Sequence, residues 1–568
     1  MSPGDPREEQ VGRPPTRSGR GAGWWLALAL LLAATGLLFA RVSGFRFLKW
    51  DDPIYVTDRA EVRAVAAGEA GAWRALLSPR RALEGRFWEY FPLRDLSYAM
   101  DAAAAGPELP AAPFHRTNLL LHLATVALLA LLGRLLGLSP LAAVGSAAFF
   151  GVHPLTVEPV AWVTGRKDLL CALFVLAALA ALAAYHRRPG RRGTLWLGVS
   201  LLAALAALAS KGPGVIVAVL CPWLAFSLRP RLFRDRRVAG ALLLIALASA
   251  AALTFAVVVG RRSGVIGLHD LGLGERLLRA AGSPLHAVSQ IVGPIELSPV
   301  YTLWPASALL DPFTWGSVLL GGLGVALAVR FRIRPPLALP LGLLGCFLLA
   351  LLPTSGILPV SQLRADRFLY LPLAFAALLG GCGVSWLVRR VRAVALAPIL
   401  LLPLFAFGTH RYLETWRDDV ALWRGVLAHD ADHPVANGAL GALALEQGEL
   451  ELADRLLRRS LARAPNLPTT WVNHGRLLRL RASPGGPRVG GGDPGALLRE
   501  AGAAQRRALA LDPRHASAEH ELGLLALERG DASSALTHLQ RCLSLPRCPR
   551  TAADLATRAR RDARGTPP

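Results

Sequence analysis

About ten apolar blocks, each near the roughly 20 residues that cross a bilayer as a helix, recur through the first 410 residues of this chain, among them 24–40 and 169–185. A soluble core rarely holds one such helix, so the blocks predict a multi-pass membrane protein. Composition agrees. The 568 residues are 53% hydrophobic and only 18% charged, against about a quarter charged in soluble domains.

The net charge of +24 does not indicate nucleic acid. The basic residues flank apolar blocks or dot the C-terminal helices, and form no patch interleaved with aromatics. All but Lys49, Lys167 and Lys211 are arginines. Cys171, Cys221, Cys346 and Cys382 sit in apolar runs as small hydrophobes, while Cys542 and Cys548 can pair if exported. No metal-ligand cluster is apparent.

Residues 1–23 read as a disordered cytoplasmic N-terminus, and 24–410 as the membrane domain. After the first span, further spans are expected near 117–136, 139–152, 168–185, 194–209, 213–228, 238–258, 314–330, 336–353, 368–388 and 393–408. With the N-terminus inside, Arg134, the run from His186 to Arg192, Arg229–Arg237, Arg330–Arg334 and Arg389–Arg392 all face the cytoplasm, which is the positive-inside pattern. Counting 276–305 as a crossing would reverse Arg330, Arg332 and Arg334. That stretch therefore reads as re-entrant or surface-lying, giving about eleven spans. The first outer loop is 41–113, and everything after 409 lies on the same outer side.

A connector, 411–433, leads to a repeat region, 434–550. Gly441 and Gly475 stand one 34-residue period apart, Gly448 and Gly530 mark helix-pair turns, and Ala453 and Ala535 follow at close-packing positions. This is tetratricopeptide-repeat spacing, interrupted by a Gly/Pro insertion over 483–495. The predicted fold class is all-α: a multi-pass helical bundle followed by an α-solenoid with a concave, peptide-binding face. Residues 551–568 read as a disordered tail.

Ionisable groups at span ends are functional candidates, because charge at membrane depth is costly. Adjacent carboxylates at Asp51 and Asp52 can raise one another's pKa and supply a base, or hold a divalent cation. Trp-Asp-Asp-Pro is equally an ordinary helix cap. Tyr90 and Arg94 lie in Tyr-Phe-Pro-Leu-Arg-Asp. His153 and Glu158 precede Gly165–Arg166–Lys167–Asp168, where two cations at headgroup depth suit a phosphate. Interfacial snorkelling explains the cations but not the flanking acids. Asp366 and Arg367 open another span, and Ser210–Lys211–Gly212 is a lesser case.

The order Trp-Asp-Asp-Pro, Tyr-Phe-Pro-Leu-Arg, Phe-His-Arg-Thr-Asn-Leu-Leu-Leu-His, His-Pro-Leu-Thr-Val-Glu-Pro-Val-Ala-Trp, Gly-Arg-Lys-Asp-Leu-Leu, Ser-Lys-Gly and Ala-Asp-Arg-Phe-Leu-Tyr-Leu-Pro, followed by repeats, resembles the transmembrane and tetratricopeptide-repeat O-mannosyltransferases and their bacterial branch, within the C-type glycosyltransferases. The resemblance covers residues 24–550. It implies a polyprenyl-phosphate-linked sugar, possible mannose, as co-substrate and an inverting transfer. Asp51 or Asp52 would be the catalytic base, with Asp51 preferred because it follows an aromatic residue. Arg166, Lys167 and Arg367 would meet the lipid phosphate, while His153, Glu158, Asp168 and Asp366 orient those cations or the sugar. Tyr90 and Arg94 would line the acceptor loop, and the repeats would present an exported acceptor protein. Ser-Lys-Gly departs from the continuation expected in the family, so Lys211 has no assigned role. The implied setting is a bacterial inner membrane with the repeats on the periplasmic side. The competing readings are a non-catalytic scaffold whose repeats recruit envelope proteins, and a lipid-linked glycan ligase or flippase-associated factor.

Overall fold

A computed structural model describes residues 19–84, 89–188, 193–263, 272–301, 308–331, 338–357, 362, 364–391, 397–483, 493–545 and 548–564. The expectations for 1–18, Arg192, Arg332, Arg334, Arg392, 484–492 and 565–568 fall outside these residues. Every regular element among the described residues is helical.

Five of these helices are long and apolar enough to cross a membrane: Gly23–Gly44, Ala111–Leu136, Val163–Arg187, Arg236–Arg262 and Asp366–Val388. A sixth candidate is the pair Pro140–Val152 and Pro154–Ala161, bent by 62° at His153. Thr194–Leu208, Gly212–Leu228 and Ala338–Thr354 are apolar but shorter. The helix Leu273–Val292 is not among the candidate spans and carries Glu275, Arg276 and Arg279. The first helix begins at Gly19, ahead of the expected Trp24.

Local sequence sets the helix ends. Ser139 caps the Pro140–Val152 helix by accepting from the Ala142 N–H at 3.2 Å, with proline at the first helical position, where no N–H is needed. Inside the bundle, small residues let helices approach. A side chain at Gly133 would meet Ala143 Cβ at 3.1 Å and Leu378 at 3.2 Å.

The C-terminal region is a row of antiparallel helix pairs: Pro434–Glu446 with Leu450–Arg463, Pro468–Ala482 with Pro494–Leu511, and Ala516–Glu528 with Ala532–Ser544. The first and third pairs superimpose residue for residue in their constraints. Gly448 and Gly530 both turn at φ +76°, a conformation that favours glycine. Ala453 and Ala535 are both fully buried. A side chain at Gly441 would strike Leu457, and one at Gly523 would strike Leu539.

The tail expectation is corrected. Thr551–Ala563 is a helix that buries Ala552, Ala556 and Ala559, one face at i, i+4, i+7. It packs against Ala532–Ser544, and a Cys542–Cys548 disulfide closes the preceding turn.

Candidate active site

The bent segment between His153 and Arg166 organises one end of the bundle. A side chain at Gly165 would sit 2.6 Å from the Pro159 carbonyl oxygen, so only glycine lets the two turns touch. This contact brings Glu158 and the Gly-Arg-Lys-Asp motif to one place, against the segment that carries Asp51 and Asp52.

The two aspartates have different surroundings. Asp52 is fully buried. Its Oδ2 accepts from the Leu48 N–H at 2.8 Å, and its Oδ1 accepts from the Thr164 N–H at 3.1 Å and hydroxyl at 2.6 Å. Burial pushes the Asp52 carboxyl up to about 7, against the lowering effect of those hydrogen bonds. Asp52 thus staples the segment around Leu48 to the turn before Arg166. Asp51 is half-buried. Its backbone carbonyl accepts from Ile54 and Tyr55, while its carboxylate has no hydrogen bond or ion pair among the described residues. It acts electrostatically on Tyr55, Asp52 and Arg367.

Three cations gather around these acids, and Arg367 is the one on which Asp51 acts electrostatically. Lys167 stands 3.6 Å from Glu89 Oε2 and 5.3 Å from the Tyr55 ring centroid. Lys211 pairs with Asp168 and lies 5.5 Å from the Phe368 ring. Arg367 pairs with Glu158, donates its backbone N–H to Glu158 Oε2 at 2.7 Å, and reaches Gln362. Asp168, Lys211 and Arg367 line a small cavity of about 30 Å³. Tyr55 donates its hydroxyl to Glu89 at 2.9 Å. Burial raises the Glu89 carboxyl, but Lys167 and Arg94 outweigh it and hold it at about 2.

Not every expected residue faces this space. Arg166 is fully buried and each of its three nitrogens is engaged. Nε reaches Asn118 at 2.8 Å, Nη1 reaches Ser97, and Nη2 donates to the Phe114 carbonyl at 2.7 Å and pairs with Asp101. It holds these segments together from a fully buried position. His153 donates from Nε2 to the Ile291 carbonyl at 2.9 Å and accepts from the Leu155 N–H through Nδ1, so it shapes the bend. Asp366 accepts from Tyr301 and, at 2.8 Å, from Tyr412, tying span ends together. Tyr90 donates to the Leu77 carbonyl at 2.8 Å. Arg94 is buried between Asp95 and Glu89 and stacks 4.3 Å from the Tyr55 ring centroid.

Glu89, Tyr55, Lys211, Trp162 and Thr164 belong to the site and were not assigned to it from the motifs. One signal was available for Lys211. In a chain with 63 basic residues, two of only three lysines, Lys167 and Lys211, face this site. Among the described residues, no group of three or more His, Cys, Asp or Glu side chains is placed to hold a metal ion.

The fold and the site together define a polytopic, all-helical membrane protein with a cation-lined polar site at one end of its bundle. This chain resembles the protein O-mannosyl-transferases of the Tmtc group. It is 25% identical to protein O-mannosyl-transferase Tmtc1 of Drosophila melanogaster over 513 residues, covering 72% of this chain and 56% of that protein. It is 32% identical to TMTC4 of Homo sapiens over 145 residues, which are 22% of this chain and 19% of that protein. It is 35% identical to Tmtc2 of Drosophila melanogaster over 130 residues, which are 22% and 14%. The chain spans about half the length of Tmtc1. No family model matches. Among solved structures, the Archaeoglobus fulgidus oligosaccharyltransferase tethered to an acceptor peptide is 15% identical, with a TM-score of 0.40 over 70% of this chain and 55% of that one.

Proposed function

We propose that this chain is a membrane glycosyltransferase that moves a sugar, mannose by analogy with the Tmtc relatives, from a polyprenyl-phosphate donor to a hydroxyl of an exported protein. The single observation that carries the reading is Asp51: a half-buried carboxylate, without a hydrogen bond or ion pair among the described residues, that acts on Arg367 and on Tyr55, whose ring centroid lies 5.3 Å from the Lys167 ammonium.

Asp51 accepts the proton of the acceptor hydroxyl as that oxygen attacks the anomeric carbon. The bond from that carbon to the phosphate oxygen breaks on the opposite face, so configuration inverts. The departing polyprenyl phosphate gains negative charge, which Lys167, Lys211 and Arg367 meet in a water-poor setting where such charge counts most. Glu158, Asp168 and Glu89 hold those cations in place, and Asp52 fixes the loop. Arg166 is a structural residue in this scheme.

About eleven spans with the N-terminus inside remain our reading of the membrane domain, and the helix pairs over 434–550 our tetratricopeptide-type acceptor-binding array. The Cys542–Cys548 disulfide supports the repeats lying in an oxidising compartment, consistent with the outer face of a bacterial inner membrane. The test is transfer of labelled mannose from polyprenyl-phosphate mannose into membrane protein by wild type, Asp51→Asn and Lys211→Ala. Unchanged transfer by Asp51→Asn sinks the assignment of the base.

A further inference from the structure

The residues immediately before Asp51 are held by the segment that leads into the repeats. The Arg46 N–H donates to the Arg417 carbonyl at 3.1 Å. The Lys49 N–H donates to Asp419 Oδ1 at 2.7 Å, and the Lys49 ammonium pairs with Glu446 of the first helix pair. In Arg417–Asp418–Asp419, Asp418 caps the helix Asp419–His429 by accepting from the Ala421 N–H at 2.8 Å. Asp419 is thereby left to hold Lys49.

Rings continue this grip. Trp50 stacks on Trp162 with centroids 5.0 Å apart and planes 18° from parallel, and Trp423 lies 5.6 Å from Trp50. Trp162 carries the Arg367 guanidinium 5.2 Å from its centroid, and Trp416 lies 6.1 Å away. Trp162 therefore touches both the residue before the base and the arginine proposed to meet the phosphate. On the other side of Asp51, Asp52 is fixed to Leu48 and Thr164. The backbone at Asp51 is held from both directions while its carboxylate is free.

We propose that Asp419 and Trp423, acting through Lys49, Trp50 and Trp162, are positioning residues by which the repeat-bearing segment sets Asp51 against Arg367. The repeats then complete the active site rather than hang from it. The inference rests on Asp51 as the base. Its physical content is separate: the order of residues 45–57 depends on the repeat-bearing segment.

The experiment uses the full chain in lipid nanodiscs. Amide hydrogen exchange across 45–57, and the kcat and donor KM for transfer from polyprenyl-phosphate mannose into membrane protein, are measured for wild type, Asp419→Ala, Asp419→Asn, Trp423→Ala, Trp423→Phe and Asp51→Asn. Asp419→Ala and Trp423→Ala should exchange faster at 45–57 and lose kcat by up to about 100-fold, the scale of a small misplacement, with donor KM nearly unchanged. Asp419→Asn keeps an acceptor for the Lys49 N–H, and Trp423→Phe keeps a ring; both should recover most of the loss. Unchanged exchange in both alanine variants overturns the proposal, as does faster exchange with wild-type kcat while Asp51→Asn is inactive. If Asp51→Asn keeps full transfer, the base assignment fails and the exchange data alone decide whether the repeats order the loop. Should Trp423→Ala not fold, Trp423→Leu, which keeps apolar volume without an aromatic face, takes its place under the same readouts.

Discussion

The buried ion pairs at the end of the apolar helices and the surface ion pairs of the C-terminal helix pairs are built on opposite terms. At the bundle end, Arg94 and Asp95 are both inaccessible to solvent, and Arg59 reaches the same Asp95 at 3.0 Å. In the repeats, Arg458 and Asp454 are 67% and 20% exposed, and Arg499 and Asp493 are 73% and 66% exposed. Exposed pairs contribute roughly 0–1 kcal/mol. A buried charge that loses its partner costs about 3–5 kcal/mol. A chain that keeps buried pairs beside a membrane is holding cations in place for something, whereas the repeat pairs keep a helical surface soluble.

The contrast can be broken most sharply at Asp51. Asp51→Asn should reduce transfer by about 100-fold or more, within the range of a lost general base, with an unaltered thermal midpoint because the side chain has no partner to lose. Next comes Asp95→Ala, which removes the buried carboxylate shared by Arg94 and Arg59 and leaves them with Glu89 and Glu61. Thermal unfolding in detergent should show about 3–5 kcal/mol of destabilisation, and a loss below 1 kcal/mol would place this network with the surface pairs. At the small end, Arg499→Ala should change stability by less than about 0.5 kcal/mol, and a larger effect would erase the distinction.

The pH response of the outer loop sharpens the comparison further. The Asp52 carboxyl in the folded chain sits near 7, above its ordinary value of 3.8. Between those values the folded state holds a proton that the unfolded chain has released, so stability falls as pH rises through this window. Glu89 works the other way. Its folded value of about 2 lies below the ordinary 4.5, so its contribution is present above 4.5 and lost as pH falls toward 2. From pH 4.5 to 7 the loop should therefore soften in wild type, by exchange at Leu48 and Thr164, and the decline should be absent in Asp52→Asn. A flat wild-type profile would contradict this account.

The apolar blocks made the helical bundle legible, and Gly448 with Gly530 made the repeat turns legible. Pairing partners were hidden. Arg166 and Lys167 are neighbours in the chain, but successive residues on a helix point about 100° apart. One therefore enters a nest of carbonyls and the other faces Glu89, a difference no motif reveals. Glu89 carries no motif at all and is defined by what packs around it. The helix Thr551–Ala563 was read as a disordered tail, because its many arginines and the flanking prolines masked the face shared by Ala552, Ala556 and Ala559. Asp51 and Asp52 look alike in sequence and are separated only by Thr164, 112 residues from Asp52.

The grip on Lys49 also sets a schedule. Its partner Asp419 lies 370 residues further along the chain, so at about 5–20 residues per second of synthesis the segment around Lys49 is made on the order of 20–70 s before Asp419 can hold it. During that interval the segment around Trp50 lacks the grip of Asp419 and Trp423. On the proposed function, assembly order leaves the site incomplete until those residues have been made.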